Sequence, residues 1–283
     1  MTISGKAQVF MIVGDPVAQV RAPEVYNQLF ARHGVDAALV PMKVSPDHLA
    51  GFVQQVFKSE NLGGLWLTIP HKVPMRALMD ICDPIAEIAG AVNAVRRSSS
   101  GGLEGALFDG LGFVKGLDHF GIDVLGRNVL VVGAGGGGQA VAAALAQRKP
   151  KKIRIANRSL EKAQAIVNRL KSRFGVSADC TTAADPSGFD LVINCTSQGL
   201  SEHDPLPFDP SRVDAGSAVV DIIMTREPTR LIRTCREHGI VAHPGFEMLV
   251  QQVPEYLRFF GMTELAAVLQ ADLTEVRQLL YPR

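Results

Sequence analysis

The chain alternates short apolar runs with longer amphipathic segments, which is the pattern of an α/β protein. In the first third, apolar runs of strand length predict strands at residues 9–13, 38–44 and 64–68. Segments with helical spacing, two of which open with proline, predict helices at 23–33, 46–57 and 84–90. Residues 91–107 predict a hairpin, with residues 98–102 as its loop.

The pattern changes after a helix predicted at residues 111–120. A buried-type strand at 127–132 leads into a glycine-rich turn and an alanine-rich helix, and further apolar strands follow at 153–156, 191–194 and 218–222. Strands that alternate with helical segments predict a parallel sheet. The chain from about residue 244 is predicted to be helical, without a strand. We expect an α/β fold of two domains, residues 1–107 with 244–283 and residues 108–243.

Composition excludes several classes of protein. The 283 residues are 47% hydrophobic and 20% charged, with a net charge of +1, so no overall field favours nucleic acid or an anionic membrane. The four cysteines, Cys82, Cys180, Cys195 and Cys235, form no C-x-x-C pair, so neither a metal site nor a disulfide framework is indicated. Without an apolar leader or an uninterrupted apolar span, we expect a cytoplasmic protein with no membrane or nucleic-acid partner.

A glycine-rich turn gives the strongest chemical signal. In VLVVGAGGGGQAVAAAL, Gly133, Gly135 and Gly138 form G-x-G-x-x-G between the strand and the helix, and Gly136 and Gly137 complete the turn. These glycines allow a tight turn, a close backbone approach to a pyrophosphate and close packing of helix on strand. The helix N-terminus then offers free N–H groups to the phosphates. The pattern predicts a Rossmann-type dinucleotide site, against the alternative of a flexible glycine loop.

The end of the next strand indicates which dinucleotide is bound. It carries Asn157, Arg158 and Ser159, where an NAD enzyme usually has a carboxylate for the ribose 2′-hydroxyl. A guanidinium pairs well with a 2′-phosphate, and Lys162 would add a second positive charge. The alternative is an ordinary loop with a solvated arginine. We expect NADP as the cofactor.

Two ionisable residues outside this motif are candidates for proton transfer. Lys72 follows a buried-type strand in WLTIPHKVP, and Asp109 precedes a helix in GALFDGLGF. Reduction of a carbonyl by hydride needs a proton donor to the developing alkoxide, which a lysine paired with a carboxylate would supply. Taken alone, these residues are better explained as a surface lysine and a helix N-cap, and the spacing does not show that they meet.

The order of motifs resembles that of the shikimate dehydrogenase family over nearly the whole chain. GDPVAQVRAPEVYN is similar to G-x-P-I-x-H-S-x-S-P-x-x-H-N, LTIPHK to N-V-T-x-P-x-K, GAVNAV to G-A-V-N-T-L and GALFDGLGF to G-x-N-T-D-G-x-G. Further along, ANRS is similar to A-N-R-T, INCTSQGL to I-N-A-T-S-x-G-M and GFEMLVQQ to G-x-x-M-L-V-x-Q. Seven matches in the right order are more specific than any single motif.

The resemblance implies an NADP-dependent oxidoreductase of aromatic amino acid biosynthesis that acts on a ring hydroxyl of a cyclohexene carboxylate. It implies that the C-terminal segment returns to the N-terminal, substrate-binding domain. On matching positions, the catalytic pair would be Lys72 and Asp109, the contacts to substrate hydroxyls would be Thr68, Asn93 and Gln252, and Thr196 would join the cofactor site.

Departures from the family pattern fall on the substrate side. The two serines that bind the substrate carboxylate in the family are Val20 and Ala22 here, with Arg21 between them as a candidate replacement ligand. The histidine of that motif is Gln19, the asparagine of N-V-T is Trp66, and the N-T before the aspartate is Leu107-Phe108, while Met224 stands where a tyrosine is expected.

Other residues admit a functional and a structural interpretation. Trp66 is either a substrate wall or core, with core favoured. His71 is either a proton relay or a side chain on the opposite face of an extended segment. Glu247 either meets a polar group or faces solvent, and Cys195 is read as a small buried residue.

Three functions therefore stay open at this point. The first is reversible hydride transfer between 3-dehydroshikimate and shikimate, or on a related cyclohexene carboxylate. The second is a dehydrogenase for quinate, an aminoshikimate or another small metabolite on the same scaffold. The third is a non-catalytic NADP-binding sensor. We expect a monomer or a homodimer.

Overall fold

The computed structural model describes residues 3–225 and 227–281, and these divide into two compact units. Unit 1 contains the chain up to Phe108 together with Gln252–Tyr281. Unit 2 contains Asp109–Gln251. Both units combine a sheet with helices, so the predicted α/β class is confirmed.

Unit 1 is built on a mixed sheet. In chain order its elements are β1 (Gln8–Gly14), α1 (Ala22–Arg32), β2 (Ala37–Lys43), α2 (Leu49–Val56), β3 (Leu62–Leu67), α3 (Lys72–Arg76), β4 (Ile81–Cys82), α4 (Pro84–Ala89), β5 (Ala94–Arg97) and β6 (Leu103–Ala106). The strand order is β2-β1-β3-β5-β6-β4, with β1 parallel to β2 and β3, and β5 antiparallel to both of its neighbours. The helix predicted at 46–57 is divided into a 3₁₀ turn, Pro46–His48, and α2.

Unit 2 is built on a fully parallel sheet. Its elements are α5 (Asp109–His119), β7 (Asn128–Val132), α6 (Gly136–Gln147), β8 (Lys152–Ala156), α7 (Leu160–Phe174), β9 (Ala178–Thr181), β10 (Leu191–Asn194), β11 (Ala218–Asp221), α8 (Arg230–Glu237) and β12 (Val241–Pro244). The strand order is β12-β11-β10-β7-β8-β9. This is the doubly wound order of a Rossmann-type sheet: β7 to β9 extend to one side and β10 to β12 to the other, so the strand order changes sides between β7 and β10 although these strands are parallel.

The parallel sheet is buried on both faces, as its continuous apolar strands predict. Along β7, Val129 and Val131 join one core cluster, formed with α5, α6 and α7. Leu130 and Val132 join a second cluster, which includes residues of α8. The two clusters fix the position of the carboxyl ends of these strands, where the glycine turn begins.

The chain closes with helices α9 (Phe246–Phe259), α10 (Thr263–Ala271) and α11 (Thr274–Leu280). The division between the units falls inside α9, later than the boundary at 244 that the sequence suggested. The first turn of α9 stays with unit 2 because it packs on α5, where a Cβ at Gly116 would lie 3.5 Å from the Cβ of Glu247.

Side-chain contacts attach the C-terminal helices to unit 1. Arg32 Nη1 and His33 Nε2 lie 3.0 and 2.9 Å from the carboxylate of Glu275 in α11. The Tyr256 hydroxyl of α9 donates to the carbonyl of Asn93, at 3.3 Å. These contacts bring the second half of α9 beside the strands that carry the candidate substrate residues.

An aromatic cluster forms the core at this place. Trp66 is only 2% exposed and stacks on Tyr256, with ring centroids 5.2 Å apart and an interplanar angle of 16°. Phe260 lies 4.3 Å from Trp66, and Tyr26 and Phe10 meet its ring edge-on at 5.1 and 5.3 Å. The core interpretation of Trp66 is confirmed.

Truncation of Trp66 is expected to destabilise unit 1 strongly. Trp66→Ala removes a buried ring that contacts four other aromatic rings, and should cost roughly 3–5 kcal/mol of unfolding free energy. Trp66→Phe keeps an aromatic ring and should cost clearly less. Urea unfolding followed by far-ultraviolet circular dichroism measures both values, and a loss below about 1 kcal/mol for Trp66→Ala would show that the cluster contributes little.

Candidate active site

The turn after β7 requires glycine at two positions. Gly133 has φ +110, and a Cβ there would lie 2.8 Å from the backbone carbon and oxygen of Cys195, at the end of β10. A Cβ at Gly138 would lie 2.1 Å from the oxygen of Gly133. The backbone at Cys195 and at Gly133 therefore leaves no room for a side chain at either position. This close packing keeps the N-terminus of α6 where the strand order changes sides, between β7 and β10.

Packing does not explain the glycine in the middle of the turn. Gly135 is exposed and is the N-cap of α6, and apart from its chain neighbours no atom of the described residues lies within 4 Å of the position where its Cβ would be. The first turn of α6, which contains Gly136 and Gly137, carries no acidic residue. Open space in front of a helix N-terminus of this length fits a pyrophosphate, which the free N–H groups would bind.

Thr196 lies beside the glycine turn, at the carboxyl end of β10. Its hydroxyl donates to Asn194 Oδ1 at 2.7 Å and accepts from the Gln198 N–H at 3.1 Å. Asn194 is fully buried and also donates to Asp221 Oδ1, at 2.9 Å. Burial raises the pKa of the Asp221 carboxyl. The hydroxyl of Thr196 thus shapes the loop that faces the glycine turn.

Asn157 connects the two loops of the nucleotide site. Its side-chain oxygen accepts from the Ala134 N–H at 3.1 Å, and its amide nitrogen donates to the carbonyl of Ser159 at 2.8 Å. Asn157 therefore positions both loops, which is a role that the sequence did not distinguish from direct cofactor contact.

The neighbouring cation is available for a ligand. Arg158 is exposed, and within residues 3–225 and 227–281 its guanidinium makes no hydrogen bond or ion pair. Ser159 is the N-cap of α7 but its side chain makes no capping bond, and Lys162 is exposed in the first turn of that helix. A cation and a hydroxyl that lie together at a helix N-terminus fit a 2′-phosphate.

Asp109 is the first residue of α5 and is only 3% exposed. The first turn of α5 packs tightly on α6, since a Cβ at Gly110 would lie 2.2 Å from the oxygen of Ala140.

Cys195, which the sequence assigned as a buried small residue, is 8% exposed, and burial raises the pKa of its thiol. The thiol is therefore held in its protonated form, which does not suit a nucleophile.

In unit 1, backbone hydrogen bonds fix Thr68 immediately after β3. The Thr68 N–H donates to the carbonyl of Val13 at 3.0 Å, and the carbonyl of Thr68 accepts from the His71 N–H at 2.9 Å. A Cβ at Gly14 would lie 2.3 Å from the methyl group of Thr68. The turn after β1 thus leaves space for the Thr68 side chain.

Lys72 begins α3 and is half-buried. Its carbonyl accepts from the Val92 N–H at 2.9 Å, and the next residue along the chain is Asn93. The Leu67 N–H donates to the carbonyl of Asn93 at 2.8 Å. Thr68, Lys72 and Asn93 are therefore held on adjacent backbone segments of unit 1.

His71 differs from the sequence interpretation. The segment is not extended there, because His71 has φ −83 and ψ −16 and caps α3. Its ring is fully buried, and Nε2 donates to the carbonyl of Val44 at 2.7 Å. His71 connects the end of β2 to the turn that carries Lys72.

Two buried amide groups near these residues have unsatisfied donors. Asn93 is fully buried, with Oδ1 accepting from the Phe108 N–H at 3.0 Å, while Nδ2 has no hydrogen-bond partner. Gln252 is 2% exposed, and its Nε2 has no partner. Buried donors of this kind are costly unless a ligand or water satisfies them. Gln252 lies one helical turn before Tyr256, which bonds the backbone of Asn93.

Two of the remaining candidates have partners within the protein. Arg21 Nε donates to Glu24 Oε2 at 2.8 Å, and its Nη2 lies 3.5 Å from the carbonyl of Leu279. Glu247 is fully buried and accepts from Gln251 Nε2 at 2.8 Å, so the interpretation that it faces solvent is wrong. A substrate carboxylate would have to compete with Glu24 for Arg21.

Tyr256 is a residue that sequence reasoning missed. Its ring stacks on Trp66, meets Phe108 at 5.1 Å and carries the hydroxyl that bonds Asn93. Its position four residues after Gln252 on a predicted helix would have indicated that both side chains share one face.

The described residues offer neither a membrane-spanning helix nor a cluster of metal ligands. No helix within residues 3–225 and 227–281 is both long and apolar enough to cross a bilayer. The same residues contain no group of three or more His, Cys, Asp or Glu side chains arranged to hold a metal ion.

The strand order and the glycine turn of unit 2 define a dinucleotide-binding protein of the Rossmann type. Family models identify the two parts of the chain. The model for the shikimate dehydrogenase substrate-binding domain matches residues 12–95, and the model for shikimate/quinate 5-dehydrogenase matches residues 117–201.

Individual proteins agree with the family models. The shikimate dehydrogenase (NADP(+)) of Acidiphilium cryptum is 36% identical over 93% of this chain and 94% of its own length. The crystal structure of shikimate 5-dehydrogenase from Thermus thermophilus with NADP(H) and shikimate has a TM-score of 0.78 at 28% identity, over 92% of this chain and 99% of that one. The 5-ketofructose reductase of a Gluconobacter strain has a TM-score of 0.80 at 25% identity, over 95% and 99%. The chain belongs to the shikimate dehydrogenase family.

The two kinds of glycine in the turn give a matched pair of variants. Gly135→Ala adds a methyl group where the protein has no atom within 4 Å, so stability should be unchanged, whereas NADP affinity should fall at least about tenfold if phosphates lie there. Gly138→Ala forces a methyl group against the backbone of Gly133 and should lower stability as well. Thermal unfolding and NADP titration calorimetry separate the two effects. Unchanged NADP affinity in Gly135→Ala would place the phosphates elsewhere.

Proposed function

We propose that this protein is an NADP-dependent oxidoreductase that interconverts shikimate and 3-dehydroshikimate or a closely related ring acid. The observation that carries the proposal is the group of residues that unit 1 holds on adjacent segments: Thr68, Lys72, Asn93 and Gln252. It combines an ammonium group with a hydroxyl and two buried amides whose donors have no protein partner. Such a group suits a small ligand that has several oxygen atoms.

The name of the Gluconobacter relative points to a ketose instead of a ring acid. We choose the ring acid for the proposed function because the curated relative at 36% identity is named for shikimate, while the reductase is 25% identical. Both names describe the exchange of an alcohol and a ketone on a small polyhydroxylated molecule.

Bound NADP(H) would supply the hydride chemistry. Its pyrophosphate would lie at the N-terminus of α6, before Gly135, and its 2′-phosphate would lie near Arg158, Ser159 and Lys162. Residues 157–159, at the end of β8, include a cation and no carboxylate, which favours NADP over NAD because a carboxylate there would repel the 2′-phosphate. The exposed Glu161 follows in the first turn of α7, next to Lys162.

We propose Lys72 and Asp109 as the catalytic pair, on the positions that match the family motif. During reduction, the Lys72 ammonium would donate a hydrogen bond and then a proton to the oxygen that becomes a hydroxyl. During oxidation, the Lys72 amine would take that proton back. Asp109 would favour the charged form of the lysine, and Thr68, Asn93 and Gln252 would orient the ring through its other oxygen atoms.

The proposal extends to the compartment, the pathway and the oligomeric state of the protein. We propose a cytoplasmic enzyme of aromatic amino acid biosynthesis that works as a monomer or a homodimer. The cysteines are free thiols, which is consistent with a reducing compartment.

Turnover with ring acids tests the proposal. Purified protein is mixed with NADP and shikimate, quinate or an aminoshikimate, and the formation of NADPH is followed by absorbance. We expect NADPH to form with at least one of them, which would also exclude a non-catalytic sensor. Absence of turnover with every ring acid, in protein that binds NADP, would contradict the proposed function.

Replacement of Lys72 tests the proton-transfer step. Lys72→Ala should lower kcat by at least about 100-fold and leave NADP affinity nearly unchanged, since general acid–base catalysis contributes that much or more. The matched control is Lys58→Ala, because Lys58 is an exposed lysine of unit 1. A decrease of less than about threefold in Lys72→Ala would remove this lysine from the chemistry.

Replacement of Arg158 tests the choice of cofactor. Arg158→Ala should weaken NADP about 10- to 100-fold and NAD hardly at all, because the guanidinium pairs only with the 2′-phosphate. Arg173→Ala changes an exposed arginine at the other end of α7 and serves as the control. Equal weakening of NADP and NAD would contradict the assignment, and equilibrium titration of both dinucleotides measures it.

A further inference from the structure

We propose that the substrates of this protein include uncharged polyhydroxylated ketones and alcohols, because the acid group of a ring acid contributes little to recognition. This inference rests on the proposed NADP-linked hydride transfer and adds a second class of substrate to it. The group that recognises the ligand in unit 1 binds oxygen atoms without requiring a negative charge.

The donors that lack a partner are neutral. Asn93 Nδ2 and Gln252 Nε2 are amide donors in side chains that are 0% and 2% exposed. An amide N–H bonds a hydroxyl or a ketone oxygen as well as a carboxylate oxygen, and it gains less from charge than a guanidinium does. Asn93 Oδ1 is already used by the Phe108 N–H, so its free hydrogen-bonding capacity is that of a donor.

Arg21, the residue directly before α1, has a carboxylate partner. Arg21 Nε lies 2.8 Å from Glu24 Oε2, one helical turn ahead, and Nη2 lies 3.5 Å from the Leu279 carbonyl. Glu24 therefore balances its charge locally. The pair is partly exposed, with side chains 33% and 62% accessible, so an ion pair between Arg21 and an acid group on the substrate would also form in water-exposed surroundings and contribute little.

Other cations of unit 1 have acidic partners as well. Lys43 Nζ lies 3.6 Å from Asp15, and Arg96 Nε lies 2.8 Å from Glu104. Lys72 is needed at the oxygen that reacts, so it does not serve a carboxylate elsewhere on the ring.

The amide donors lie beside the aromatic core. The Tyr256 hydroxyl bonds the carbonyl of Asn93, and Tyr256 lies one helical turn after Gln252. At the start of α1, Val20 and Ala22 have side chains that cannot form hydrogen bonds. A few neutral donors beside an apolar core suit the hydroxyl groups of a carbohydrate-like molecule, and they do not repay the desolvation of a carboxylate.

The test compares two compounds that differ only at the acid group, which is charged in one and a neutral methyl ester in the other. Oxidation of shikimate and of its methyl ester by NADP is compared through kcat/KM, and reduction by NADPH of an inosose, a cyclic polyhydroxylated ketone without an acid group, is the third arm. We expect the ester to lie within about tenfold of the acid and the inosose to be reduced measurably. A site that binds the carboxylate through a cation would lose at least about 100-fold with the ester.

Variants of Arg21 check the same point from the side of the protein. Arg21→Gln should change kcat/KM for the acid and for the ester by the same small factor. The exposed Arg97, of the same unit, gives the control Arg97→Gln.

The possible failures are distinguishable. An ester at least about 100-fold poorer than the acid, or an Arg21→Gln variant that loses the acid alone, would overturn this inference and leave the proposed function in place. Failure of all three compounds to exchange hydride with bound NADP(H) would overturn the proposed function and this inference with it.

Discussion

The hydrogen bonds of Asn93 hold together the part of unit 1 on which the proposed chemistry depends. Its backbone carbonyl accepts from the Leu67 N–H at 2.8 Å and from the Tyr256 hydroxyl at 3.3 Å, and its side-chain oxygen accepts from the Phe108 N–H at 3.0 Å. One buried residue thus joins β3, α9 and the segment before α5. These bonds fix the orientation of the Asn93 side chain and leave its Nδ2 without a partner. A ligand oxygen would therefore be a suitable acceptor for this donor.

Unit 2 is subject to a different constraint: in the turn after β7, segments of backbone lie too close together for a side chain to fit between them. Gly133 and Gly138 are required by the protein itself, whereas Gly135 borders open space at the N-terminus of α6. Two glycines are thus needed for packing, and the third faces space that the pyrophosphate would occupy in the proposed function. Arg158 is exposed at the end of the next strand, and in the proposed function it would meet the 2′-phosphate.

Much of this organisation follows from local sequence signals. Apolar periodicity predicted four of the six strands of the parallel sheet, and the glycine spacing after β7 predicted its nucleotide turn. The two-residue strand β4 and the strands β9 and β12 were not predicted, because short strands at or near a sheet edge carry too weak an apolar pattern. The contact of Arg21 with Leu279 and the burial of His71 and Glu247 could not be predicted, since they depend on contacts between segments far apart in the chain.

Isotope transfer tests the central claim most directly. The protein is incubated with 3-dehydroshikimate and NADPH that carries deuterium on the transferring face of the nicotinamide, and the ring product is analysed by mass spectrometry. Hydride transfer within this protein predicts a product that retains the deuterium on carbon, and at least about 100-fold slower formation of the labelled product when Lys72→Ala replaces the native protein. A ring acid recovered without deuterium, from native protein that binds both compounds, would contradict it.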